Sequence, residues 1–147
     1  MHLAQQIEPH IHADSATDTV TLDYESRFLR RKRLVTDNGE AFLVELAETY
    51  SIDEGQGFRL DDGRVIAVRA AAEQLLEVRH DNLVRMAWHI GNRHTPCQMA
   101  ADHLLIRADG VLQAMLEQLG ARVTTVTAPF TPEGGAYGHG RTHGHAH

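Results

Sequence analysis

A single cysteine, Cys97, stands in the 147 residues. That excludes an internal disulfide, and the expected setting is a reducing compartment. No apolar run approaches the roughly 20 residues that span a bilayer. The opening stretch Met1-His2-Leu3-Ala4-Gln5-Gln6 has no charged-then-apolar signal pattern. The cytoplasm is therefore the expected location, and no membrane partner is expected. Net positive charge is also missing. The formal balance is −6 with neutral histidines, which removes any global pull toward nucleic acid. The one basic run, Arg30-Arg31-Lys32-Arg33, is short and reads as the solvated face of a strand or loop. Catalytic signatures are lacking too. There is no Gly-rich phosphate loop, no Gly-x-Ser-x-Gly elbow and no His-Glu-x-x-His. A protein that binds rather than catalyses is expected.

What the chain does carry is histidine. Its last nine residues read His-Gly-Arg-Thr-His-Gly-His-Ala-His, with four of the eleven histidines: His139, His143, His145 and His147. Small or polar residues separate them, and nothing apolar is present to bury them. A neutral imidazole is a common ligand for divalent transition metals, and a short His-rich tract is a compositional sign of metal binding. Engineered tags are usually unbroken runs, so this spaced tail reads as native.

Along the chain, Val20, Leu22 and Tyr24 alternate with polar residues. Phe42, Val44 and Leu46 alternate in the same way, and Val65 to Val68 is a compact apolar run. Turn signals at Asp37-Asn38-Gly39, Glu54-Gly55-Gln56-Gly57 and Asp61-Asp62-Gly63 separate them. Such runs read as antiparallel strands, so the first half is expected to be a small β-rich unit. Met1 to about Ala16 shows no clear periodicity and is expected to be loose.

The second half changes character. Leu75 to Val78 reads as a strand, and Asp81 offers a helix N-cap. Leu83, Met86, Ala87 and Ile90 follow at helical spacing until Gly91 stops the helix. Apolar stretches at Cys97 to Ala100 and Leu104 to Ile106 come next. A second helix begins at Asp109, with Val111, Leu112, Met115, Leu116 and Leu119 on one face, and ends at Gly120. Val123 to Val126 is a last strand. The order β-α-β-β-α-β matches a ferredoxin-like split motif. The expected class is α+β, with a β-rich domain over 1–72, a ferredoxin-like domain over 73–128 and a flexible His-containing tail over 129–147.

In the folded part, His94 falls between the end of the first helix and Pro96, on a short turn where it is able to point outward. The alternative is an ordinary surface histidine. Cys97 makes a His-x-x-Cys pair with it, but a small buried hydrophobe opening a strand is the favoured reading. The lack of a second cysteine argues against a closed structural zinc site. His80, His89 and His103 flank elements without ligand spacing to one another. His10 and His12 could hold a metal only adventitiously.

Met86-Ala87-Trp88-His89-Ile90-Gly91-Asn92-Arg93-His94-Thr95-Pro96 resembles the central Gly-Asn-Arg-His motif of the UreE urease accessory metallochaperones. The basic strand with Asp37-Asn38-Gly39, the Val111 to Gly120 helix and the Pro129 to Tyr137 segment resemble that family in the same order. The resemblance implies a homodimer that binds Ni(II) between subunits. It would hand the ion to the urease apoprotein and its accessory proteins, including the maturation GTPase. His94 matches the family's central ligand, and His139, His143, His145 and His147 are the expected auxiliaries. Zn(II) and Cu(II) are alternative ions. Many relatives carry further histidines before the last helix, where Arg107-Ala108-Asp109-Gly110 has none, so a low capacity is expected. The competing readings are a peptide-binding scaffold whose tail binds metal incidentally, and a general metal buffer.

Overall fold

A computed structural model describes residues 1–134. The chain divides into two compact units, Met1–Ala71 and a second that begins at Ala72. The class is α+β: mostly strands, with two α-helices among the described residues.

The first unit holds β1 (His2–Glu8), β2 (Asp18–Leu22), β3 (Phe28–Val35), β4 (Ala41–Ser51), β5 (Gly57–Leu60) and β6 (Val65–Ala70). They form one sheet in the order β2-β6-β5-β1-β4-β3. In β4 the period-two pattern buries Phe42, Val44 and Leu46 and leaves their neighbours half-covered. These residues join Ala4, Val20, Leu34, Phe58, Ile66 and Val68 in one apolar core. The basic run lies on β3, a border strand, and all four of its cations are exposed. Charge at such a border discourages edge-to-edge aggregation.

Three expectations for this unit fail. The loose start is instead an inner strand: β1 lies between β5 and β4. A register shift between Ala4 and Gln6 breaks its alternation, which is why no period shows in the sequence. The sheet is mixed rather than antiparallel, since β1 runs parallel to β4 and β2 runs parallel to β6. Gly57, read as part of a turn, opens β5.

Gly57 is there because nothing larger fits. A Cβ on it would stand 2.4 Å from the Ile66 carbonyl oxygen and 3.0 Å from Ile11 Cγ2. Both the partner backbone and the packed side chain would have to shift. Gly57→Ala is expected to destabilise by about 1–3 kcal/mol. A lower urea midpoint at unchanged slope would register it.

The second unit holds β7 (Ala72–Arg79), α1 (Leu83–Asn92), β8 (Gln98–Met99), β9 (Leu104–Arg107), α2 (Gly110–Gln118) and β10 (Arg122–Pro129). Its sheet order is β10-β7-β9-β8. β7 runs antiparallel to β10 and β9, and β9 antiparallel to β8. Met86 and Ile90 of α1 and Leu112 and Leu116 of α2 share a core with Leu76, Val78 and Ile106.

The helix ends differ in detail from the pattern. Asn82, not Asp81, caps α1, its side chain accepting from the Arg85 N–H at 3.1 Å. Gly91 does not stop the helix, which runs on to Asn92. Asp109 does cap α2, accepting from the Val111 and Leu112 N–H groups. Val111 is off the buried face, at 69 % exposure. Beyond the last sequence pattern the fold continues: Pro129 pairs with Ala72, and Phe130 is fully buried.

Candidate metal centre

The end of α1 is wound tight. The Arg93 N–H donates to the Ile90 carbonyl at 3.1 Å, and the His94 N–H donates to the Gly91 carbonyl at 2.9 Å. His94 then takes φ 57°, alone among the described non-glycine residues in having positive φ. A left-handed position after a helix is where glycine is least strained. Here Gly91 stays within the helix and the strained place goes to an exposed imidazole. Left-handed residues other than glycine cost of order 1–3 kcal/mol and cluster at functional sites. Two further residues of α1, Val84 and Trp88, are one turn apart and 82 % and 63 % exposed.

Cys97 lies three residues on and points inward. It is 7 % exposed, with Sγ 3.8 Å from the Gln98 carbonyl. Burial, reinforced by the charge of Glu133, pushes its thiol up to about 11. A metal binds the thiolate, and at pH 7 such a thiol is ionised in only about one molecule in ten thousand. Cys97 therefore serves as the small buried hydrophobe. Ellman's reagent is expected to label it slowly in the native protein and at full stoichiometry in denaturant. Rapid native labelling would contradict this.

The segment after β10 returns to the same place. The Thr131 N–H donates to Gln98 Oε1 at 2.9 Å, and the Glu133 N–H donates to the Cys97 carbonyl at 2.9 Å. The four tail residues His139, His143, His145 and His147 lie outside the described residues, so no geometry brings them to His94.

Three further histidines have local employment. His80 accepts from the Asn82 N–H at Nδ1, 2.8 Å, and places Nε2 3.1 Å from the Leu119 carbonyl. The His89 ring meets Trp88 edge-on, with centroids 5.0 Å apart. His103 Nδ1 lies 2.7 Å from Asp102, whose carboxyl is held below its ordinary range by that contact and by Arg79.

One grouping was missed in the sequence. His2, Asp61 and Asp62 each offer a ligand atom within 4.8 Å of the others. Asp61-Asp62 had been read as a turn and His2 as part of a loose start. The pairing of β1 with β5, Ala4 opposite Leu60, carries His2 to that turn.

No helix among the described residues is long and apolar enough to cross a membrane. Comparison with known proteins then covers both units. Residues 2–71 match the N-terminal domain model of the UreE urease accessory protein, and residues 65–147 match its C-terminal domain model. The chain is 61 % identical over 136 residues to the urease accessory protein UreE of Ruegeria pomeroyi, covering 92 % of this chain and 91 % of that one. It is 54 % identical over 147 residues to the UreE of Rhodobacter capsulatus, covering 100 % of this chain and 94 % of that one. Against the UreE of Paracoccus denitrificans the identity is 61 % over 123 residues, 84 % of this chain and 79 % of that one. With both domain models matched in order and relatives of this identity along nearly the whole length, the chain belongs to the UreE urease accessory protein family.

Proposed function

We propose that this chain is a nickel metallochaperone that carries Ni(II) as cargo to the urease activation complex during urease maturation and catalyses no reaction itself. It works in the cytoplasm as a homodimer. Its partners are the urease apoprotein and the accessory proteins, including the maturation GTPase. The first unit serves as a protein-contact module. The second unit is ferredoxin-like; its element order and its sheet order β10-β7-β9-β8 support that reading. His94 of two subunits meets across a two-fold axis, and His139, His143, His145 and His147 from a flexible tail close around the ion.

One observation carries this reading: the exit segment is tied at Glu133 to Cys97, three residues from His94. His139 follows Glu133 by six positions, a length that spans at most about 20 Å. Tethered donors reach a high effective concentration, so weak single ligands act together. The exposed Val84 and Trp88 supply apolar surface for a second copy along the helix that leads to His94. Gly91 supports close approach there, because a Cβ on it would meet nothing within 4 Å among the described residues beyond its own helix backbone. Copper and zinc compete for such a site, since intrinsic affinity does not favour nickel over copper.

The test is truncation after Tyr137, with urease maturation assayed at limiting nickel. The expected result is loss of most of the nickel-limited activity, restored by excess nickel. A pure scaffold would leave maturation indifferent both to the truncation and to His94→Ala.

A further inference from the structure

We propose that His2 and Asp62 form a second divalent-cation seat, oriented by Asp61, on the first unit. The imidazole of His2 faces a carboxylate at each nitrogen. Nδ1 is 2.6 Å from Asp61 Oδ1, a hydrogen-bond length. Nε2 is 3.5 Å from Asp62 Oδ2. A neutral imidazole has one N–H to donate. With that proton on Nδ1, in the short contact, the Nε2 lone pair faces an anionic oxygen. Either a second ring proton or a metal cation between the two atoms relieves that contact.

The spacing fits a metal ion. Ligand bonds of 2.0–2.2 Å at a tetrahedral zinc separate neighbouring ligand atoms by about 3.4 Å. The surroundings fit as well. A metal-bound histidine usually donates its other N–H to a carboxylate, and the ligating carboxylate is itself hydrogen-bonded. Asp61 fills the first role and is steadied by the Leu3 N–H at 3.2 Å. Asp62 fills the second, accepting from Arg64 Nε at 2.7 Å and from the Arg64 N–H at 3.1 Å. Glu40 pairs with the far side of that guanidinium. Three carboxylates against one guanidinium leave two negative charges with His2 neutral, which one divalent ion balances. The mixed nitrogen and oxygen set suits zinc and its neighbours in the first transition row. Two side-chain ligands with water completing the shell make a labile site. It stands independently of the nickel reading, because it uses none of the same residues.

The experiment uses the full-length chain with His94, His139, His143, His145 and His147 all changed to Ala, titrated with zinc chloride by calorimetry. This background still binds one zinc per chain. His2→Gln or Asp62→Asn weakens that binding at least about tenfold. Asp61→Ala, which removes the orienting acceptor, weakens it about 10- to 100-fold. Native circular dichroism of each variant confirms that the fold is retained. Two results overturn the proposal: no zinc bound up to millimolar concentration, or binding unchanged by both His2→Gln and Asp62→Asn. A short N-terminal extension separates the side chains from the terminal amine. Zinc binding that persists supports the seat, and binding lost with the free amine overturns it.

Discussion

His94→Ala is expected to abolish the proposed shared nickel site, lowering affinity by more than about 100-fold. Loss of a supporting group in the outer shell already costs about 10- to 100-fold, and a single substitution in a symmetric dimer removes two primary ligands at once. Calorimetric titration should show the tight step vanish, leaving weak binding by the tail histidines. The fold should survive, because the imidazole is exposed and the left-handed backbone at φ 57° is no easier for alanine than for histidine. His94→Gly sharpens the test: it relieves the backbone strain while still removing the ligand, so it should raise thermal stability as it removes nickel binding. The pH dependence has one sign. Metal binding needs neutral imidazole, so protons compete with the ion and acidification releases it. Unchanged affinity and stoichiometry in His94→Ala would refute the shared site.

Trp88→Glu is expected to separate the subunits. Trp88 is 63 % exposed and Val84, one turn before it, 82 %. Large apolar side chains seldom stand together in water on a helix without a partner. Tryptophan is among the residues that dominate interfaces, and truncating such a residue costs about 2 kcal/mol or more. A charge buried against its symmetric copy adds like-charge repulsion. Sedimentation velocity should show the wild type at twice the 16.4 kDa chain mass and the variant at the single mass, with tight nickel binding lost in step. A wild type that sediments at the single mass with nickel present would refute the dimer. A monomeric variant that keeps tight binding would separate dimerisation from the metal site.

Much of this was legible because it is local. Phe42, Val44 and Leu46 alternate within one strand, and Met86 and Ile90 sit one turn apart on one helix; both patterns appear in the sequence and in the core. The start of the second helix could be placed at Asp109 because such a residue bonds within its own first turn. What stayed hidden depends on distant partners. β1 carries a register shift that erases its period, and only pairing with β4 and β5 makes it an inner strand. Gly57 looks like turn chemistry until the Ile66 carbonyl is seen against it.

The same division holds at the site. A turn was expected at His94, since Gly91 and Pro96 flank it, yet its left-handed backbone was not foreseen, because Gly91 was the natural residue for that role. Cys97 was rightly read as a buried hydrophobe from its type and position. His2 and Asp61 are 59 positions apart, a distance over which a sequence offers no spacing to read.

The bonds from Thr131 and Glu133 to Gln98 and Cys97 set the length of a leash. The point of departure is fixed, so the residue count from Glu133 sets the farthest point that each later residue can reach. Inserting Gly-Ser repeats after Glu133 would dilute the tail donors around His94 by roughly the three-halves power of the added length. The grip on the ion would thus be adjustable by a part of the chain that never touches it.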